Sequence, residues 1–295
     1  MVTALNIFLL LVVIISGIIL CSSIVIVYIF EWKKNQQISV HDKIFIYSAI
    51  TNLLLQFSTS LNSLINTFWF YQVMSKPGSM LVLFFNFFFI YDNIWHTAWL
   101  SIHYCLKLVN SSHRVLLQMK KRLSTSIIPL LLVTSAVMVL INLPYIWTVR
   151  IKFLLNETNS FKRSYVIHRD NMVIICNISI GCCLPFLVTV TCIGLSVRSL
   201  VRHMWKMRSN TSHFSSSPQL QGHFRAAMTM ILQLLLNLFL YLCVIGVYIS
   251  SFYPGTFWEV FFWSSILCYP SAQTITLILG NPKLKKRLFG QKVKK

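Results

Sequence analysis

The stretch 84–105, FFNFFFIYDNIWHTAWLSIHYC, decides the fold of this chain. It is long enough to cross a bilayer, it is mostly apolar or aromatic, and its one acid, Asp92, lies near its middle. An acid at the centre of a membrane helix costs about 3 kcal/mol, so it faces protein rather than lipid. The stretch is therefore predicted to be a helix inside a membrane bundle, with its basic continuation (106–123) at the cytoplasmic surface.

The rest of the chain has the same composition. Hydrophobic residues make up 56% of it and charged residues 11%, against about 25% charged residues in soluble domains. Seven runs hold no charged residue except Asp92, and each exceeds the roughly 20 residues that cross the hydrocarbon core. The runs are 5–30, 44–75, 77–106, 123–149, 171–197, 226–258 and 260–282. We therefore expect an all-α membrane protein, a bundle of seven transmembrane helices.

The whole chain, 1–295, is predicted to form a single seven-helix domain that ends in a tail at 280–295. The expected helices are approximately 5–30, 44–71, 80–108, 126–149, 171–198, 226–252 and 256–279. Of the 26 Lys and Arg residues, 20 lie in the loops after the first, third and fifth runs and in the tail. The positive-inside rule then places the amino terminus outside and the carboxyl terminus in the cytoplasm of a multi-pass plasma-membrane protein.

The predicted outer loop contains an acceptor sequence for N-glycosylation, Asn156-Glu157-Thr158. All eight cysteines lie within predicted spans, so we expect no extracellular disulfide. The chain has no phosphate-binding loop, zinc-ligand spacing or nucleophile elbow. We therefore expect neither an enzyme nor a cofactor.

Several regions carry motifs that match one receptor family in register. The third-helix exit contributes Trp95, Leu100, Ser101, Tyr104, Leu106, Lys107, Asn110, Ser112, His113, Lys120 and Arg122. The seventh helix ends with Tyr269-Pro270-Ser271 and then LILGNPKLK at 277–285. Other matching positions are Asp42, Pro185-Phe186, Ser199-Leu200, His203, Met207 and His223. Together they resemble the type 2 taste receptors, the bitter receptors among G-protein-coupled receptors.

The chain departs from that family at helix contacts. The first-helix asparagine and the second-helix arginine, which the family couples through a polar network, correspond to Cys21 and Asn52. The seventh-helix His-Ser pair is Gln273-Thr274 here, and a third-helix tryptophan that often contacts ligand corresponds to Asn86. We therefore expect different contacts between these helices and a different range of ligands.

The resemblance implies a small bitter organic agonist that binds between the third, fifth, sixth and seventh helices. It also implies a heterotrimeric G protein with a gustducin-like or inhibitory-type α subunit, and it is compatible with a homo- or hetero-oligomer. The predicted ligand residues are Asn86, Phe89, Ile90, Phe239, Cys243, Glu259 and Trp263. The predicted coupling residues are Tyr104, Lys107, His203, Lys206 and His223. For the inner lysines, contact with lipid headgroups is the alternative role.

Two acids have alternative roles. Glu259 and Trp263 are four residues apart and share a helix face, where they could bind a protonated amine through charge and a cation–π contact. Glu259 could equally be a solvated acid at the helix mouth. Asp92 is either a counter-ion for ligand or a buried group tied to His96 one turn below.

Two other protein classes share some of these features. A vomeronasal type 1-like chemosensory receptor would have the same fold and inner chemistry, but not the LILGNPKLK ending. A seven-helix transporter or pump would need a lysine for a cofactor or a line of acids along a path. The only lysine in the predicted spans is Lys107, at an inner edge, which disfavours that class.

Overall fold

Long apolar runs become long helices, because lipid cannot hydrogen-bond to backbone groups and a helix satisfies them internally. The structure, a computed structural model, describes residues 4–33, 40–68, 76–108, 114–148, 150–154, 164–168, 171–210, 218–250 and 256–289. The elements are α1 (Ala4–Lys33), α2 (Val40–Thr67), α3 (Lys76–Leu108), α4 (Arg114–Asn142), α5 (Tyr145–Thr148), β1 (Arg150–Leu154), β2 (Ser164–His168), α6 (Asn171–Ile178), a π-helical turn (Ser179–Cys183), α7 (Leu184–Asn210), α8 (Pro218–Ser250), α9 (Phe257–Gly280) and α10 (Pro282–Phe289).

Five of the described helical segments are long and apolar enough to cross a membrane, by length and composition. They are Ile7–Phe30, Asp42–Thr67, Pro77–Leu106, Asn171–Ser199 and Met228–Ser250. Ser126–Asn142 is a shorter apolar segment, and α9 carries polar residues that lower its hydropathy. The molecule is thus a helical membrane protein, while the seven crossings and their direction stay predictions.

Helix α3 runs through the whole interior. It packs against α2, α4, α7 and α8. Its N-terminal half contributes Phe87, Ile90 and Tyr91 to one buried apolar cluster, and its C-terminal half contributes Leu100 and Tyr104 to a second. The side chains between these clusters are polar and buried, so the bundle has two apolar layers separated by a hydrogen-bonded layer.

Helix α4 differs from its predicted extent of 126–149. Its apolar part begins at a kink, where Ser126 has non-helical angles (φ −112°, ψ 16°). Pro129 explains the kink, because its ring removes a helical N–H and clashes with the carbonyl four residues back. The helix ends at Asn142, and Pro144 lies in the turn before α5 rather than inside the helix.

Part of the predicted outer loop is a β-hairpin, which the all-α prediction did not include. Strands β1 and β2 are antiparallel, with Ile151 opposite Ile167 and Phe153 opposite Tyr165. Both segments are rich in the β-branched and aromatic residues that strands favour, such as Ile151 and Phe153 in RIKFL and Tyr165 and Ile167 in SYVIH. Part of the predicted tail is also ordered, as α10. Asn281 opens it by accepting a hydrogen bond from the Leu284 N–H at 3.4 Å through Oδ1, as an N-cap residue does.

Candidate ligand pocket and coupling face

An aromatic cluster surrounds the N-terminal half of α3. Phe87 stacks on Tyr91 and on Tyr248 of α8, with ring centroids 6.2 and 5.6 Å apart. It also meets the edge of Trp263 of α9 at 6.2 Å. The hydroxyl groups of Tyr91 and Tyr248 are hydrogen-bonded at 2.8 Å. These separations are favourable for ring pairs, so three helices converge on one aromatic surface here.

Asn86 lies beside this cluster and is completely buried (0% exposed). Neither its Oδ1 nor its Nδ2 has a hydrogen-bond partner among the described residues. A buried polar group without a partner costs about 1–3 kcal/mol. Such a group in a native protein calls for an explanation, and a bound ligand that pairs with it supplies one.

The other predicted ligand residues do not all lie together. Ile90 and Cys243 belong to the same buried cluster as Phe87, and Phe89 and Trp263 pack against it. Glu259 lies in the first turn of α9, one turn before Trp263, and is half-buried.

Phe239 is 44% exposed on a face of α8 that also exposes Leu235 and Leu242. Phe239 therefore lies apart from the cluster, whereas Phe87, Tyr91 and Tyr248 belong to it although they were not predicted as ligand residues.

The spacing of Phe87 and Tyr91, one helical turn apart, could have indicated that both lie on the face shared with Ile90 and Asn86. Nothing in the sequence pointed to Tyr248, because its contact with Tyr91 joins residues 157 positions apart in the chain.

A π-helical turn interrupts the helix that follows the hairpin. The N–H of Leu184 donates to the carbonyl of Ser179, five residues back, as in a π-helix. If that register continued by one residue, the donor for the Ile180 carbonyl would be residue 185, which is proline and has no N–H. The Trp95 indole supplies the hydrogen bond instead, with Nε1 donating to the Ile180 carbonyl at 3.1 Å.

Gly181 lets the π-turn approach α3. A Cβ atom at this position would lie 2.7 Å from Cδ1 of Tyr91, so no side chain fits there without displacing that ring. On the other side of the turn, Cys183 Sγ lies 3.2 Å from the Tyr241 hydroxyl of α8. The π-turn therefore contacts α3 and α8, two of the three helices that carry the aromatic cluster.

Asp92 is buried between α2, α3 and α4. Its Oδ1 accepts a 2.6 Å hydrogen bond from the Ser135 hydroxyl and lies 3.6 Å from His96 Nε2. His96 Nδ1 is 3.2 Å from the Thr51 hydroxyl, and its ring meets Tyr47 edge-on at 4.6 Å. Of the two predicted roles, this arrangement supports the buried group tied to His96. The prediction missed Ser135, because a contact across 43 residues leaves no local sequence pattern.

Buried amides join α2, α3, α8 and α9 below the aromatic cluster. Asn93 donates to Asn52 through Nδ2. Tyr269 donates to Asn237 Oδ1 at 2.7 Å and lies 3.4 Å from Asn93 Oδ1. Polar groups that hydrogen-bond across membrane helices hold them together. Asn52, which replaces the arginine usual in the resembled family, is therefore bonded to α3.

At the other positions that differ from the family pattern, side chains of α9 make the contacts with neighbouring helices. Cys21 Sγ and the Thr274 hydroxyl are 3.3 Å apart, which ties α1 to α9. Gln273 Nε2 donates to the Thr97 hydroxyl of α3 at 3.0 Å. The first and second helices thus each bond to a different neighbour at these positions. This agrees with the expectation that the helix contacts differ here.

The opposite end of α3 contains one described coupling candidate. Tyr104 is 6% exposed and packs in the second buried cluster with Ile193 of α7, Met230 of α8 and Leu277 of α9. The predicted positions whose side chains lie outside the described set are Lys107, His203, Lys206 and His223. Asn156 of the predicted glycosylation site also lies outside the described residues.

Comparison with known proteins shows the family. The chain matches the family described as taste receptor protein (TAS2R) over residues 1–292. It is 28% identical to taste receptor type 2 member 40 of Gallus gallus over 266 residues, which cover 86% of this chain and 83% of that protein. It is 25% identical over 281 residues to member 39 of Homo sapiens, covering 92% and 81%.

A third relative is matched over nearly its whole length. Member 4 of Pongo pygmaeus is 27% identical over 279 residues, which cover 91% of this chain and 90% of that protein. The resemblance carried by the third-helix exit and the LILGNPKLK ending is confirmed. This chain belongs to the taste receptor type 2 family.

Proposed function

We propose that this protein is a G-protein-coupled bitter taste receptor that binds a small organic agonist between α3, α8 and α9. Asn86 carries the proposal, because it is buried beside the aromatic cluster with both amide atoms unpartnered among the described residues. An agonist that enters here would pair with the amide and stack on the rings. Ligand pockets of this kind combine apolar and aromatic walls with a few polar groups that fix orientation.

The proposed pocket has a floor at Asn86 and a mouth at Glu259. Trp263 connects them, since it lies one turn below Glu259 and contacts Phe87, the neighbour of Asn86. Ile90, Phe89 and Cys243 would contribute apolar wall, because they belong to or pack against the same cluster. Phe239 stays a predicted ligand residue, although it lies apart from the aromatic cluster.

Activation is proposed to occur at the other end of the bundle, where the G protein would bind near Tyr104. An agonist shifts a conformational equilibrium only by its differential affinity for the two states. Tyr104 packs against residues of α7, α8 and α9, so movement of these helices would expose it. We propose that Lys107, His203, Lys206 and His223 complete the coupling face of this end.

The proposal includes a plasma-membrane receptor with seven crossings, an outside amino terminus and N-glycosylation at Asn156. The excess of basic residues in the predicted inner loops supports that direction. An amino-terminal epitope tag should therefore be stained on intact cells, and Asn156→Gln should remove the mobility shift that glycosidase treatment produces.

The decisive experiment is an agonist screen. Cells that carry the tagged receptor and a promiscuous G protein are exposed to a panel of bitter compounds, and calcium responses are recorded against cells without receptor. We expect at least one compound to give a receptor-dependent, saturable response. Silence to the whole panel, despite antibody staining at the cell surface, would contradict the proposed function.

A further inference from the structure

We propose that the agonist presents to Asn86 an adjacent N–H donor and C=O or C=S acceptor on a flat, neutral ring, as lactams, cyclic ureas and cyclic thioureas do. This inference rests on the proposed function and names the ligand chemistry of the same site. Three observations support this ligand chemistry: the two unpartnered amide atoms of Asn86, the aromatic rings near that residue, and the position of the nearest acid on α3.

The two unpartnered atoms of Asn86 are one acceptor, Oδ1, and one donor, Nδ2. A cation would satisfy only the acceptor, and an anion only the donor. A group that carries its own donor beside its own acceptor satisfies both at once, in the paired geometry that makes bidentate contacts selective. The amide-like N–H and C=O of a lactam are such a group.

Two other buried asparagines use one of their amide atoms in a hydrogen bond within their own helix, and Asn86 does not. Asn142 and Asn177 donate Nδ2 to the carbonyls of Met138 and Val173, four residues back in their own helices, at 2.8 and 2.9 Å. Each therefore leaves only its Oδ1 unpartnered among the described residues. Asn86 makes no such bond, so its whole amide is available to a ligand.

The surroundings favour a flat and neutral partner. Ile90, one turn from Asn86 on the same face of α3, belongs with Phe87 and Tyr248 to one buried cluster, and Trp263 packs against it. A planar ring beside Asn86 would therefore add to an existing set of aromatic contacts. The nearest acid on α3 is Asp92, whose Oδ1 accepts a hydrogen bond from the Ser135 hydroxyl and lies 3.6 Å from His96 Nε2. We therefore expect Asn86 to select a ligand by the arrangement of its hydrogen-bond donor and acceptor rather than by its charge.

Three probes that differ at one ring atom test the inference. 2-Quinolone has the N–H beside the carbonyl, coumarin has oxygen in place of that N–H, and 1-methyl-2-quinolone has the N–H blocked. Calcium responses in receptor-expressing cells give an EC50 for each. For the unmodified receptor we expect 2-quinolone to have an EC50 lower than that of either analogue by about tenfold or more, which corresponds to about 1.4 kcal/mol.

Asn86→Leu should reduce that ratio to about twofold or less, because the variant can no longer read the N–H. Gln233→Leu is the matched control. Gln233 is also buried, at 2% exposure, and both of its amide atoms are unpartnered among the described residues, but it lies on α8 more than three turns from Tyr248. Its substitution should leave the ratio unchanged.

The possible results distinguish a failure of the proposed ligand chemistry from a failure of the proposed function. Equal potency of 2-quinolone and coumarin, or a preference that persists in Asn86→Leu, overturns the inference while receptor responses uphold the function. Silence to 2-quinolone alongside a response to another panel compound does the same. Silence to every compound with normal surface staining contradicts both. If Asn86→Leu fails to reach the surface, Asn86→Ser replaces it, and its ratio should also fall.

Discussion

The indole N–H of Trp95 donates a hydrogen bond to the Ile180 carbonyl, with 3.1 Å between the nitrogen and the oxygen. The backbone of the segment that contains Ile180 cannot supply this donor. If the register of the π-turn continued by one residue, the donor would be residue 185, and residue 185 is proline. A side chain of α3 therefore completes the hydrogen bonding of another membrane helix. π-turns often occur at functional sites, and this one lies against Tyr91 of the aromatic cluster.

Trp95→Phe should destabilise the receptor by about 1 kcal/mol, because it removes the N–H and leaves a backbone carbonyl without its partner. Pro185→Ala restores an N–H that can reach the same carbonyl. In the Pro185→Ala background, the cost of Trp95→Phe should therefore fall to about half or less. Thermal unfolding of the four detergent-solubilised proteins gives the double-mutant cycle.

Trp99→Phe is the control for this cycle. Trp99 is also half-buried and lies one turn further along α3, where its Nε1 donates to the Thr134 hydroxyl of α4 at 3.0 Å. Its substitution should cost the same in the unmodified receptor and in the Pro185→Ala background. Additivity of Trp95→Phe with Pro185→Ala would show that the indole does not serve the π-turn.

Gly181→Ala tests the close approach of the π-turn to α3. The new Cβ would lie 2.7 Å from Cδ1 and 2.8 Å from Cγ of Tyr91, and overpacking of this kind costs about 1–3 kcal/mol. Gly194→Ala in α7 is the matched control, since nothing lies within 4 Å of its Cβ position. It should leave stability equal or raise it by up to about 1 kcal/mol. Equal melting temperatures for the two variants would argue against a tight contact at Gly181.

Ser135→Ala should cost about 1 kcal/mol, because it removes the hydroxyl that donates to Asp92. In an Asp92→Leu background, which offers no acceptor to that hydroxyl, the cost should fall to about half or less. Ser101→Ala, which removes a buried hydroxyl bonded to its own helix at 2.9 Å, should cost the same in both backgrounds. Melting temperatures of all variants measure these costs, and an unchanged Ser135→Ala cost would disprove the coupling.

Glu259→Gln tests whether the mouth of the pocket binds amines. Glu259 and Trp263 share a face of α9, and an exposed cation–π contact contributes about 0.5–1 kcal/mol, with the carboxylate adding to it. The EC50 of basic agonists should rise by about three- to tenfold, while neutral agonists keep theirs. Equal shifts for both classes would indicate a change in folding or expression, and the amine role would be rejected.

Much of the fold could be predicted because membrane insertion imposes it residue by residue. Stretches without charge become helices wherever they lie in the chain, so a long helix is expected from the sequence in each region where α1, α2 and α3 lie. The motif from Tyr104 into the loop beyond, together with LILGNPKLK, also identified the family, because those residues are read in order. The β-hairpin was not predicted, because the polar composition of 150–170 indicates a loop and SYVIH does not alternate between polar and apolar residues.

By itself, then, the sequence determined that this is a helical membrane protein of the taste receptor type 2 family and that Asn86 and Asp92 are unusual. The tertiary structure decided which neighbours each of them meets. Asp92 meets Ser135 of α4, and Trp95 meets Ile180 of the π-turn. Asn86 meets no partner among the described residues. These outcomes depend on distances between helices that are remote in the chain, and helical periodicity specifies which face a residue occupies but not which neighbour that face meets.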